Sequence, residues 1–116
     1  MDRLFYSEFC GNKNSAFYLK PAATVLTARR AGATSAYDQP NKYFGLHEMP
    51  IISSRYWNLV YGANAEQAEK DAEGMYTMRI LGENMAYFLH CKEAAEKLGV
   101  KLPSREQPVF TNFIRE

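Results

Sequence analysis

The chain has 116 residues and a formal net charge of +1, which is enough for one domain and too little charge for an electrostatic nucleic-acid binder. Apolar residues make up 47 % and charged residues 23 %, a globular rather than a disordered balance. No apolar run reaches the roughly 18 residues of a membrane helix, and the opening residues carry Asp2, Arg3 and Glu8 where a signal peptide is apolar, so a cytoplasmic protein is expected.

Residues 1–10 (MDRLFYSEFC) set Met1, Leu4, Phe5 and Phe9 on one helical face, with no capping residue ahead of them. Gly11-Asn12-Lys13-Asn14-Ser15 reads as a turn. Pro21 suits the entrance to a strand, where its missing N–H costs little. Ala22–Thr27 is then a continuous run of small and β-branched residues, the pattern of a strand covered on both faces. A helix over about 33–44 follows, with Thr34 or Ser35 as the expected N-cap. Pro40 should kink it or shorten its first turn, and Gly45 should stop it.

Ile51–Val60 reads as a second strand with an irregular aromatic exit, its regular part being 51–56. A helix-bearing connection of about two dozen residues between two strands is a crossover, so the two are expected to be parallel. Asn64 with Gln67 resembles a capping pair. Residues 65–98 read as one long helix carrying the apolar stripe Met78, Leu81, Met85, Phe88 and Leu89. Gly74 is a point where it would break or bend, Gly82 a point of close backbone contact, and Gly99 its end. The tail keeps Val109, Phe110, Phe113 and Ile114, which argue for docking on this subunit or on a partner rather than for disorder.

These elements define an α/β fold, but two parallel strands cannot bury what the chain offers. Further strands are expected from another copy or from a longer protein of which this is the C-terminal portion, and the uncapped start favours the second. A strand that ends in a short turn and feeds a helix places residues 27–34 at the carboxyl edge of the sheet. Open α/β sheets bind their ligands at that edge.

The segments MDRLFYS, KPAATVLTARRAGATSAYDQ, NKYF, MPIISSRYWNLVYG, EGMYTMRILGENMAYFL and PVFTNFIR, in this order, resemble the C-terminal half of the flavodoxin-like NADPH-dependent FMN reductases, the group that includes the iron–sulfur flavoproteins. The resemblance implies a single partial three-layer domain over 1–116, with 22–27 as the family's fourth strand, 51–56 as its fifth and the first three strands absent. It also implies an oxidoreductase binding FMN non-covalently, with hydride passing from NAD(P)H to the flavin. The loop that holds the FMN phosphate in the family is not in this chain, so the chain alone is expected to bind FMN poorly or not at all. The apolar tail and the aromatic surplus point to a homodimer or tetramer, with flavin sites near subunit contacts.

On that resemblance Thr27, Ala28, Arg29, Arg30, Ala31 and Gly32 form the loop beside the isoalloxazine ring. Backbone N–H groups there would face the ring positions where negative charge accumulates on reduction. Gly32 would allow close approach, and Arg29 or Arg30 would add positive charge near the flavin or the NADPH phosphates. The alternative is an exposed arginine pair at a strand end. Trp57, which leaves the second strand on the same edge with Tyr56, is a candidate for lining or stacking on the cofactor; core packing or a subunit contact is its alternative. No catalytic side chain is required, because the flavin carries the chemistry. His47, His90, Cys10 and Cys91 lack metal-ligand or nucleophile–base spacing. A flavin-free remnant acting as an oligomerisation module is the competing function.

Overall fold

A computed structural model of the chain describes residues 1–11 and 15–114; the turn expected at Asn12, Lys13 and Asn14, and the last two residues, lie outside the described part. Helix α1 (Asp2–Gly11) is followed by strand β1 (Leu26–Ala28), helix α2 (Ala33–Leu46), strand β2 (Leu59–Tyr61) and helices α3 (Ala65–Lys70) and α4 (Ala72–Lys97). β1 and β2 are parallel neighbours, with Leu26 opposite Leu59, Thr27 opposite Val60 and Ala28 opposite Tyr61. The expected α/β class and parallel pairing hold.

The ladder lies further along both segments than the sequence indicates. Pairing starts at an isolated parallel bridge between Ala22 and Ile51, the first residues of the two predicted strands. It then lapses, and resumes at Leu26 with Leu59. Three residues bridge the interval on one side and seven on the other, so residues 52–58 leave the sheet as an excursion rather than forming the strand expected over 51–56. The physical reason is Asn58. It is completely buried, its Nδ2 donates to the Thr24 carbonyl at 3.0 Å, and its Oδ1 accepts from Ser54 Oγ at 2.7 Å. Ser54 Oγ also lies 2.7 Å from the Tyr56 carbonyl. One amide side chain thus occupies the place of the missing ladder bonds and closes the excursion on itself. The buried Thr24 extends this network to α2, its hydroxyl donating to Asn41 Oδ1 at 2.7 Å.

Two further departures have local causes. The helix expected over 65–98 divides at Asp71, whose extended ψ of 86° ends α3 and whose carboxylate caps α4 by accepting from the Gly74 N–H at 2.9 Å. Gly74 is therefore not the break. It is where α4 approaches β2 too closely for a side chain, since a Cβ there would sit 3.0 Å from the Leu59 carbonyl oxygen. Gly82, by contrast, faces open space. At the start of α2 the cap is Gly32 in the left-handed region, φ 92°, rather than Thr34 or Ser35. Pro40 lies inside α2, which continues to Leu46. The expected Asn64–Gln67 pair does form, the Asn64 side chain accepting from the Gln67 N–H at 2.9 Å while Gln67 Oε1 accepts from the Ala63 N–H at 3.0 Å.

The core is small. Ala33 and Tyr37 of α2 pack on Leu59 with Leu26 and Ala28 beside them, and Gly74, Thr77 and Leu81 turn one face of α4 inward. A second, aromatic cluster holds α1: the Phe5 ring meets Phe17, Tyr43, Phe44 and His47. His47 is buried between the Phe5 carbonyl, 2.7 Å from Nε2, and Ser15 Oγ, 3.1 Å from Nδ1, which makes it a satisfied core histidine. Of the apolar face expected on α1 only Phe5 is buried; Met1, Leu4 and Phe9 are more than half exposed. The radius of gyration is 18.0 Å, against about 13 Å for a compact chain of this length.

The two edges of the sheet differ. On the outer edge of β2 the Tyr61 N–H is taken by Asp71 Oδ2 at 2.7 Å and the Leu59 N–H by the Trp57 carbonyl at 2.8 Å. On the outer edge of β1 the main-chain groups of Ala23, Val25 and Thr27 bond to nothing among the described residues, because the alternate residues Ala22, Leu26 and Ala28 face β2.

Replacing Asn58 by Ala strands the buried Thr24 carbonyl, while the Ser54 hydroxyl keeps the Tyr56 carbonyl. A loss of about 1–3 kcal/mol is expected for leaving such a buried group unpaired, read as a fall in the urea midpoint. Asn58→Asp should be at least as costly, since a carboxylate cannot donate to Thr24.

Candidate functional site at the carboxyl edge

Because β1 and β2 run in the same direction, Ala28 and Tyr61 end on one edge. From Ala28 the chain bends through Arg29, Arg30 and Ala31 to Gly32, and α2 begins at Ala33. No side chain caps α2, so its first N–H groups remain for solvent or a ligand, the partial positive charge of a helix N-terminus behind them. Thr27 and residues 29–32 are exposed, while Ala28 is half-buried against the core. Gly32 φ lies in the region that an L side chain enters only at a cost, which explains glycine here.

Beside this loop, at the end of β2, is a cleft of about 230 Å³ whose lining includes Thr34, Tyr56, Trp57, Tyr61, Asp71 and Thr77. Trp57 is the one residue of the predicted site that lines it. Thr27, Ala28, Arg29, Arg30, Ala31 and Gly32 stand at the same edge but outside the cleft wall. Tyr56 and Trp57 come from the end of the 52–58 excursion, their rings 4.8 Å apart at 52°, and Asn58 just beyond them fixes the base of that excursion. Trp57 is about half exposed, so it is not packed into the core.

The opposite wall is the first turn of α4. Asp71 is its organising group: one carboxylate oxygen accepts from Tyr61 N–H and the other from Gly74 N–H. The bond from Gly74, then that from Tyr61, holds its carboxyl below the usual carboxylate range, with a smaller contribution from the Glu73 N–H and partial burial acting in opposition. Thr34 lies within the 27–34 edge that the sequence indicated, whereas Tyr61, Asp71 and Thr77 were not foreseen in a site. The available signal was the run Asp71-Ala72-Glu73-Gly74, an acidic N-cap and first turn that restarts a helix. The periodicity on either side masks it.

Among the described residues no three His, Cys, Asp or Glu side chains come together as a metal site, and no helix is long and apolar enough to cross a membrane. Cys10 and Cys91 are exposed free thiols. No protein-family model, curated protein or solved structure matches the chain significantly.

Asp71 has a lowered folded-state pKa, so its contribution to stability is complete above the unfolded carboxylate value near 4 and is lost as pH falls through that value toward the folded one. The urea midpoint of the wild type should drop between about pH 5 and pH 3. Asp71→Ala should lower stability at pH 7 by about 1 kcal/mol or more, the worth of an N-cap, and flatten that acid limb.

Proposed function

We propose that this chain is the carboxyl-terminal half of a flavodoxin-like, FMN-dependent NAD(P)H oxidoreductase unit, carrying the isoalloxazine side of the cofactor site. The observation that carries the reading is the arrangement at the carboxyl edge: two adjacent parallel strands joined through α2, the uncapped α2 start with Arg29 and Arg30 ahead of it, and Trp57 beside it. The asymmetry of the sheet supports it too. The β2 edge is closed by Asp71, whereas the β1 edge offers free main-chain groups, as a sheet continuing on the β1 side requires.

The cleft fits part of the cofactor. At about 230 Å³ it is smaller than the roughly 300–1,000 Å³ of a small-molecule site, so it takes one edge of a planar ring and leaves the remainder to other strands. When bound, the flavin supplies the hydride chemistry with NAD(P)H. The residues here orient and polarise it. Trp57 and Tyr56 offer ring faces, the N–H groups at the start of α2 offer donors to electron-rich ring atoms, and Arg29 and Arg30 favour the anionic partners. The phosphate cradle lies outside this chain in this reading. The competing function, a flavin-free homodimeric or tetrameric module, draws on the many exposed apolar side chains.

Trp57 is the single tryptophan, so its indole N–H gives one NMR signal. Adding FMN to about 1 mM, where some 4 kcal/mol of binding suffices for half-saturation, should shift that signal together with the Gly32 amide. Riboflavin, which lacks the phosphate, should bind about equally. Arg29→Ala with Arg30→Ala should leave the binding of oxidised FMN and riboflavin unchanged and weaken that of NADPH by roughly fivefold, about 1 kcal/mol. Shifts confined to residues away from Trp57 and Gly32 overturn the flavin reading and leave the assembly module.

A further inference from the structure

The carboxyl-terminal segment is anchored and then let go. Past the Gly99 cap of α4, the Arg105 guanidinium bonds Glu48 Oε1 at 2.6 Å and lies 4.0 Å above the Tyr18 ring, and Tyr18 Oη donates to the Pro103 carbonyl at 3.4 Å. A cation held by a carboxylate and an aromatic face is a fixed point. Beyond it Val109, Phe110, Phe113 and Ile114 are each 82–96 % exposed. A solvated tail would be polar; this one is an apolar arm with its root clamped.

The anchor adjoins α1. Glu8 Oε1 accepts from the Ala16 N–H at 2.7 Å, and Phe17 packs on Phe5 at 4.9 Å. α1 itself leaves Met1, Leu4 and Phe9 a little over half exposed, Phe9 with one side against the His47 ring. Each chain therefore carries an apolar arm and, next to the arm's root, an apolar helix face. Nine residues past Arg105 reach roughly 30 Å when extended, enough to cross to a neighbouring copy.

We infer that two copies of this chain exchange arms, Val109, Phe110, Phe113 and Ile114 of each covering Met1, Leu4 and Phe9 of the other. Area favours a second copy over a one-sided partner. Four such side chains remove roughly 600 Å² on the arm and about half as much on the receiving face, whose three side chains are already partly covered. One contact thus falls short of a stable interface, roughly 1,200 Å², whereas two reciprocal contacts pass that bound. A twofold axis supplies the second contact without further sequence. The inference gives a mechanism to the dimer of the preceding reading but does not depend on flavin.

Sedimentation velocity on the full chain should show a dimer. Phe110→Ser with Phe113→Ser should make it a monomer with unchanged circular dichroism, and so should Leu4→Ser with Phe9→Ser. Mixing the two variants should restore a weaker dimer, seen only at higher concentration than the wild type needs, because one intact arm still meets one intact face. As an independent measurement, p-benzoylphenylalanine at position 113 in an equal mixture of ¹⁴N and ¹⁵N chains should on irradiation join position 113 of one isotope to residues 1–9 of the other. A monomeric wild type, crosslinks confined to one chain, crosslinks between chains that avoid residues 1–9, or variants that remain dimeric overturn the exchange. Loss of the dimer with FMN shifts retained, or the converse, separates this inference from the cofactor reading.

Discussion

The fold depends on a single buried amide. Where the parallel ladder lapses between Ala22 and Leu26, Asn58 supplies the donor that Thr24 lacks and the acceptor that Ser54 needs. Buried polar groups persist only when satisfied, and this residue satisfies three elements at once: the first strand segment, the excursion and, through Thr24 and Asn41, helix α2. Without it the start of the excursion would still be held, by the Ile52 N–H on the Ala22 carbonyl at 2.9 Å and the Asn84 side chain on the Ser53 carbonyl at 2.8 Å, but Tyr56 and Trp57 would lose the anchor next to them. The core around Ala33, Tyr37 and Leu59 is too small to replace that anchor through apolar contact alone.

Asp71 has a comparable role on the other side of β2. Its two oxygens serve a strand N–H and a helix N–H simultaneously, so the end of the sheet and the start of α4 are positioned by one side chain. Gly74 makes the arrangement possible, because anything larger would meet the Asp71 carboxylate and the Leu59 carbonyl. The two walls of the cleft therefore have polar rather than apolar foundations, Asn58 under the aromatic wall and Asp71 under the helical one.

Much of this was legible in the residues. The β-branched run at Ala22–Thr27, the crossover length and the helical periodicity after Asn64 led to the α/β class, the parallel pair and the carboxyl edge. Gly99 marked the end of the long helix, where the Val100 and Gly99 N–H groups return to Ala95 and Glu96 at 3.0 Å. What was not legible depended on side chains replacing main-chain partners. Periodicity reports apolar faces, so Ile51–Val60 read as continuous strand although Asn58 interrupts the ladder. The stripe through Met78 and Leu81 likewise concealed the restart at Asp71. Trp57 and, within the 27–34 edge, Thr34 were recognisable, but Tyr61 and Thr77 join them only through the packing of β2 and α4, which no local pattern encodes.

The closed margin at β2 has a consequence for how such a two-stranded sheet behaves in a crowded solution. A ribbon able to accept neighbours on both sides is a seed for fibres. Here the Asp71 carboxylate and the α4 start seal one side, so hydrogen-bonded growth is unidirectional. If the incoming strand also brings a sealed far side, growth ends after one step. The same acidic side chain that shapes the cleft thereby limits sheet extension to a finite particle instead of an open polymer.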